Sequence, residues 1–282
     1  MNKYCRLLRF KHWIKNMLIF CPLIFGIELL NTELLVKTII GFFLFSFIAS
    51  SIYIINDIYD VNSDRMHPVK CKRPIASGEI SIRKAWIIVC CLIIIVICFE
   101  ILLNDKILGV LYLIVYLILN IAYSCGLKNY PIIDLIILVS GFLIRVLYGS
   151  EITDIKISGW LYLTVISFAF YLSLGKRRNE LEKHGIKPET RRVLRYYSKD
   201  FLDKNMYMYL ALTNSFYALW AMEDKKMIWT VPIMMIICLK YSLNIEGDSE
   251  GDPVEVLIKD KILIVLCIIY ILSVLAILYG GI

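Results

Sequence analysis

The sequence predicts an all-α integral membrane protein with nine transmembrane helices, and three observations carry that expectation. Of its 282 residues, 59% are hydrophobic and the mean hydropathy is +0.71. That is more apolar surface than a soluble domain of this length could cover. Apolar runs recur along the chain at 17–30, 34–55, 86–103, 107–124, 132–149, 158–175, 206–222, 227–244 and 262–280. Most are long enough to cross a hydrocarbon core of about 30 Å as helices. Finally, charge is sparse but sorted. With the N-terminus placed in the cytoplasm, the inward-facing segments hold 24 of the 31 Lys and Arg, and the outward connections hold five. By the positive-inside rule the N-terminus and the large hydrophilic loops are cytoplasmic, and the C-terminus lies outside.

The chain reads as a single transmembrane domain, 1–282. Residues 1–16 form a basic amphipathic lead-in, with Lys3, Arg6, Arg9, Lys11 and Lys15 among Leu7, Leu8, Phe10, Trp13 and Ile14. The run 17–30 is the shortest and needs its flank from Trp13 to span. It lacks a small-residue cleavage site, so it is expected to stay in the membrane. Three loops interrupt the apolar pattern: 56–85 with an acidic motif, 176–205 strongly basic, and 245–261 acidic. The nine cysteines lie mostly inside apolar runs without metal-ligand spacing, which suits small apolar packers. No P-loop, nucleophile elbow or zinc pattern is present, and nothing points to a nucleic acid partner. With three histidines in all, the chemistry is not expected to need a histidine base.

The loop 56–85 carries the strongest signal. Asp57, Asp60 and Asp64 fall within an arc of roughly 60° if one helix continues through them. Carboxylates on one face repel unless a cation sits between them. They are therefore candidate ligands of Mg²⁺, gripping a diphosphate at the membrane surface. The bland alternative is a solvated helix end. Lys70 and Arg73 follow between Pro68 and Pro74, with Gly78 closing the turn. They suit a phosphorylated ligand, since Arg can hold phosphate oxygens in bidentate fashion.

A second constellation comprises Asn120, Tyr123, Ser124, Lys128, Asp134 and Arg145. Asp134 and Arg145 fall within about 40° of each other along one helix. Ionisable residues inside a span mark a functional cavity by default. The alternatives are that Asp134 reaches the interface and that Arg145 snorkels outward to Glu151. A third lies at Gly175-Lys176-Arg177-Arg178, divided between phosphate binding and orientation by anionic lipid. The acidic loop stays open between a solvated connector and a cap.

Asn56-Asp57-x-x-Asp60-x-x-x-Asp64 with nine spans resembles the UbiA-type superfamily of intramembrane prenyltransferases. More narrowly, the chain resembles its phosphoribosyl-transferring branch, acting on polyprenyl phosphates. That likeness rests on Trp13-x-Lys15-Asn16, His67-Pro68-x-Lys70-x-x-Arg73-Pro74, Tyr123-Ser124-x-x-Leu127-Lys128 and Gly141-Phe142-x-x-Arg145, with Gly175-Lys176-Arg177-Arg178-x-Glu180-Leu181 and Gly251-Asp252-Pro253-x-Glu255. Aromatic-acceptor members carry a second Asp-x-x-x-Asp motif near the fourth and fifth spans, whereas here Asp134 is followed four residues later by Leu138.

The resemblance implies a UbiA-like bundle around a central cavity open to the cytoplasm, in a bacterial inner membrane. It implies Mg²⁺-dependent transfer of 5-phosphoribose from phosphoribosyl diphosphate to a polyprenyl phosphate of the decaprenyl type, for lipid-linked pentose and cell-envelope polysaccharide. Asp57, Asp60 and Asp64 would be catalytic and would hold Mg²⁺. Lys15, Asn16, Lys70, Arg73 and Lys128 would orient phosphates; Asn56, Tyr123 and Asp134 would shape the ribose pocket. Lys176, Arg177 and Arg178 would receive a phosphorylated substrate, and Arg145 belongs to the same set. A homo-oligomer is compatible with the pattern. The alternatives are prenyl transfer from a lipid diphosphate to an aromatic acceptor, and a lipid-phosphate binder or transporter without chemistry.

Overall fold

The computed structural model describes residues 2–66, 70–103, 107–185, 191–224, 226–247 and 251–280; His67 and Pro68 lie outside them. The described residues form helices and no strand. In order they are α1 (Lys3–Leu7), α2 (Cys21–Phe25), α3 (Thr32–Tyr59), α4 (Val61–Met66), α5 (Ile82–Leu103), α6 (Ile107–Cys125), α7 (Ile133–Thr153), α8 (Gly159–His184), α9 (Lys199–Ala221), α10 (Val231–Glu246), α11 (Pro253–Lys259) and α12 (Lys261–Tyr279).

Local chemistry sets many of the starts. Asn31, Ser158, Ser198 and Asp260 cap α3, α8, α9 and α12 by accepting from a backbone N–H three residues on. Asp252 caps α11, with Pro253 at its first turn. Among the described residues six helices are long and apolar enough to cross a membrane: α3, α5, α6, α7, α10 with its 3₁₀ lead-in Met227–Thr230, and α12. The expected first span at 17–30 is not one helix. An eleven-residue 3₁₀ segment, Phe10–Phe20, runs into five-residue α2, and Ile27 then takes φ +60°. Helices α8 and α9 are long enough to span but more polar, because their ends carry the charged loop 176–205.

The chain divides into two compact units. The first comprises Met1–Leu23, Leu29–Cys125 and Ile144–Ile155; the second comprises Ile24–Glu28, Gly126–Leu143 and Lys156–Ile282. In the first unit Leu44, Phe45, Ile48 and Ile52 of α3 pack with Val96, Leu113, Tyr116 and Tyr148. A second cluster, from Leu7 through Ile54 and Ile58 to Ile75, Ile80 and Val89, lies under the acidic loop. The core of the second unit joins Leu135, Tyr171, Leu174, Val193, Met206, Tyr241 and Leu263. Side chains such as Ile87, Ile94 and Ile101 on α5, or Ile262, Val265 and Leu272 on α12, are exposed as lipid-facing helices require.

Candidate active site

The acidic stretch sits where α3 gives way to α4. Asp60 breaks the helix at φ −87°, ψ 5°, yet its N–H still reaches the Asn56 carbonyl and its carbonyl accepts from Asp64. This bend separates the three carboxylates. Asp57 and Asp64 turn inward and are 3% and 2% exposed, whereas Asp60 is exposed. The expectation of three carboxylates on one face is thus corrected to two, because the helix does not run straight through residue 60.

The returning loop delivers the counter-charge. Lys70–Lys72 makes a 3₁₀ turn, Ile80 N–H closes onto the Pro74 carbonyl at 2.9 Å, and Ile75 and Ile80 anchor the loop in the core. Gly78 takes φ +80°, a conformation that glycine adopts without strain. So held, Arg73 donates from Nη1 to Asp57 Oδ1 at 3.1 Å and to Asp64 Oδ2 at 2.7 Å. A second guanidinium reaches the same oxygen: Arg9 Nη2 lies 2.6 Å from Asp57 Oδ1 and stacks on the Tyr53 ring at 4.4 Å. Arg9 stood in the sequence only as part of a basic lead-in. Arg6 secures that lead-in through Glu79 and the Lys72 carbonyl.

These residues fit a magnesium ion. Mg²⁺ is usually held by one or two carboxylates together with substrate phosphates and water. Asp57 and Asp64 already converge on one cationic nitrogen. Among the described residues no group of three His, Cys, Asp or Glu could hold a metal alone, so substrate oxygens and water would complete the set.

Deeper in the first unit, Gly149 on α7 has no Cβ, and one added there would meet the Ile19 carbonyl oxygen at 2.1 Å. This close approach brings Asn16 to Arg145. Arg145 Nε donates to Asn16 Oδ1 at 2.7 Å and Nη2 donates to the Tyr116 hydroxyl at 2.9 Å. Its guanidinium lies 4.9 Å from the Phe45 and Tyr116 rings. Asn16 in turn donates to Ser46. Arg145 is therefore built into the protein rather than snorkelling to Glu151. Lys15 is half-buried beside Asn16, Asn56 is half-buried at the end of α3, Lys70 is exposed, and Tyr123 is half-buried on α6.

In the second unit the basic run meets carboxylates at every position. Arg177 is wholly buried, with Nε donating to Asp134 Oδ2 at 2.7 Å and Nη1 to Glu180 Oε2 at 2.8 Å. Arg178 pairs with Asp203 and Glu182, and Lys176 with Asp252 at 3.1 Å. The other Asp134 oxygen accepts from the Tyr197 hydroxyl at 2.6 Å, and that hydroxyl accepts from the Ile132 N–H at 2.7 Å. Ile132 is strained at φ +67°, so Tyr197 ties down an unfavourable turn. Burial, and then the Asp134 carboxylate, push the Tyr197 hydroxyl pKa up. Burial favours the neutral form of Glu180, but Arg177, Arg191 and Lys176 outweigh it and hold its carboxyl below the ordinary range.

Both Asp134 oxygens accept from protein donors, and Arg177 is buried between two carboxylates. Lys176 keeps a partly open side chain, 24% exposed, and Lys128 is half-buried on the 3₁₀ turn Leu127–Asn129. The acidic loop is more than a solvated connector, for Asp252 binds Lys176 and Gly251 packs on Asn179.

The UbiA prenyltransferase family profile matches residues 22–257. Decaprenyl-phosphate phosphoribosyltransferase of Corynebacterium glutamicum is 31% identical over 96% of this chain and 85% of its own length. The protein of the same name from Mycolicibacterium smegmatis is 32% identical over 95% of this chain and 90% of its own. Among solved structures, a UbiA homolog from Archaeoglobus fulgidus bound to DMAPP and Mg²⁺ superposes with a TM-score of 0.71 at 20% identity, covering 98% of this chain and 99% of that one. With a profile match over most of its length and relatives aligned almost end to end, the chain belongs to the UbiA prenyltransferase family.

Proposed function

We propose that the protein transfers 5-phosphoribose from phosphoribosyl diphosphate to a polyprenyl phosphate and releases diphosphate. The observation that carries this reading is similarity over 95% or more of the chain to enzymes named decaprenyl-phosphate phosphoribosyltransferase. The geometry supports it. The only carboxylate at the second acidic position, Asp134, is engaged by Arg177 and Tyr197, which leaves Asp57 and Asp64 as the pair suited to a metal-diphosphate.

In this reading Asp57 and Asp64 hold Mg²⁺, with Asp60 at the exposed rim. When bound, the ion neutralises charge developing on the departing diphosphate. Arg73, Lys70 and Lys15 orient the phosphates; Asn56 and Tyr123 line the ribose side. Lys128 and Lys176 supply further cations for phosphorylated substrate. Arg145 fixes Asn16, and so the segment bearing Lys15, by the bond from Nε to Oδ1. The bond from the anomeric carbon to the diphosphate oxygen breaks, and its electron pair leaves with the diphosphate. An acceptor phosphate oxygen forms the new bond to that carbon. The acceptor is already an oxyanion at neutral pH, so positioning and electrostatics carry the rate without a general base. The lipid tail needs only an apolar groove between helices.

We place the protein in a bacterial inner membrane with its N-terminus and acidic loop in the cytoplasm. The distribution of Lys and Arg supports that orientation. Nine spans follow if α8, α9 and the segment through α2 cross alongside the six apolar helices. The test is incubation of membranes containing the protein with pentose-labelled phosphoribosyl diphosphate, polyprenyl phosphate and Mg²⁺. Label in a lipid-linked phosphopentose is the expected result. Prenylation of an aromatic acceptor from a polyprenyl diphosphate, with no pentose transfer, would overturn the reading.

A further inference from the structure

Asp57 is held by two guanidiniums, and one of them is presented by a segment with an unusual backbone. Arg9 takes the left-handed conformation, φ 52° and ψ 47°, which non-glycine residues seldom adopt. The buried Ser50 clamps both sides of this kink. Its hydroxyl donates to the Leu8 carbonyl at 2.8 Å and accepts from Trp13 Nε1 at 3.1 Å. Beyond the kink runs the 3₁₀ segment Phe10–Phe20, far longer than the three or four residues usual for that helix and a feature of strained or hinge segments. The kink aims Arg9 at Asp57 Oδ1, the oxygen that Arg73 also contacts. The Arg9 side chain remains 23% exposed, while the carboxylate beneath it is 3% exposed.

Charge accounting gives this arrangement its meaning. Asp57 and Asp64 carry two negative charges, and Arg9 and Arg73 balance them. A divalent cation taking the two carboxylates leaves two partly buried guanidiniums without their counter-charge. A diphosphate arriving with the metal brings the negative charge they then need. Arg73 sits on the loop anchored by Ile75 and Ile80. Arg9 sits on the kinked N-terminal segment, and its backbone takes the left-handed conformation.

We propose that Arg9 is a movable counter-cation. It neutralises Asp57 while the carboxylates hold no metal, and it passes to the phosphates of the bound diphosphate substrate when metal takes Asp57. Metal entry is thereby coupled to capture of the substrate by the N-terminal segment. This rests on the reading of Asp57 and Asp64 as the metal site.

The test reads Mn²⁺ binding to the purified full-length protein by electron paramagnetic resonance, with no turnover required. Arg9→Gln removes the competitor, so Mn²⁺ binds about tenfold more tightly in the absence of substrate, as expected for loss of one partly buried ion pair. Inorganic diphosphate, which tightens Mn²⁺ binding to the wild type, gives a smaller gain in Arg9→Gln. Lys204→Gln, which loses only its exposed partner Asp200, binds Mn²⁺ as the wild type does. Should Arg9→Gln be unstable, Tyr53→Leu loosens Arg9 by removing the ring it stacks on and shifts Mn²⁺ affinity the same way. Unchanged or weaker Mn²⁺ binding in Arg9→Gln, when Asp57→Asn abolishes it, overturns the counter-cation role and leaves the metal site standing. Equal Mn²⁺ binding by wild type and by the Asp57→Asn, Asp64→Asn double variant overturns both.

Discussion

Arg73 and Asp64 meet at 2.7 Å in a pair whose carboxylate is 2% exposed and whose guanidinium remains 28% exposed. The anion is buried and the cation is partly open, which in the proposed reading leaves the guanidinium a side for substrate phosphate. Asp57→Asn and Asp64→Asn should each lower kcat by at least a hundredfold, roughly the loss seen when one charge-stabilising group leaves an active site. Asp60→Asn should cost less than tenfold, because that carboxylate points outward. Steady-state rates at saturating Mg²⁺, with expression followed by immunoblot, provide the check.

Arg177 makes a different prediction, one of stability. Its side chain is wholly buried between Asp134 and Glu180, and cutting it to Ala takes the guanidinium from Asp134 and leaves Glu180 with the longer pair to Arg191. Removing one partner of a buried pair costs about 3–5 kcal/mol. Arg177→Ala should therefore unfold at markedly lower temperature in detergent. Lys176→Ala, whose partner Asp252 is partly exposed, should shift the midpoint far less. Equal shifts would contradict the brace.

Tyr197→Phe tests the strained turn. The substitution keeps the ring but leaves the Ile132 N–H and one Asp134 oxygen without their partner. A buried polar group so orphaned costs about 1–3 kcal/mol. The loss should appear in chemical denaturation while Mn²⁺ affinity is unchanged, since no metal-binding carboxylate is touched.

Acid should weaken the same network. The folded pKa of Glu180 lies below its ordinary value, because Arg177, Arg191 and Lys176 outweigh the burial that would raise it. A depressed carboxyl contributes its stability fully above the unfolded value of about 4.3 and loses it as pH falls through the lower folded value. The wild type should thus melt above Glu180→Gln by a constant margin from pH 8 to 6. That margin should close below about pH 4. A margin that widened on acidification would contradict the direction of the shift.

Helical class, six apolar spans and the acidic motif were legible because each is written in neighbouring residues. Asp57, Asp64 and Arg73 lie within seventeen positions of one another, and the prolines and Gly78 mark the turn that returns Arg73. Asp60 misled because a bend at one residue changes which way a side chain points without altering the spacing. Arg9 and Tyr197 were missed for another reason. The contact of Arg9 depends on a left-handed backbone at an ordinary residue, and that of Tyr197 on a partner 63 positions away. The run Lys176–Arg178 looked like a phosphate cradle because three of its carboxylate partners, Asp134, Asp203 and Asp252, are far from it in the chain.

The central claim is that the Asp57–Asp64 pair serves pentose transfer to a lipid phosphate. Purified protein in lipid nanodiscs, given pentose-labelled phosphoribosyl diphosphate, a polyprenyl phosphate and Mg²⁺, measures it directly. The account predicts one lipid-linked phosphopentose formed per diphosphate released, and neither product from the Asp57→Asn, Asp64→Asn double variant. Diphosphate release without labelled lipid, or full transfer by the double variant, would contradict it.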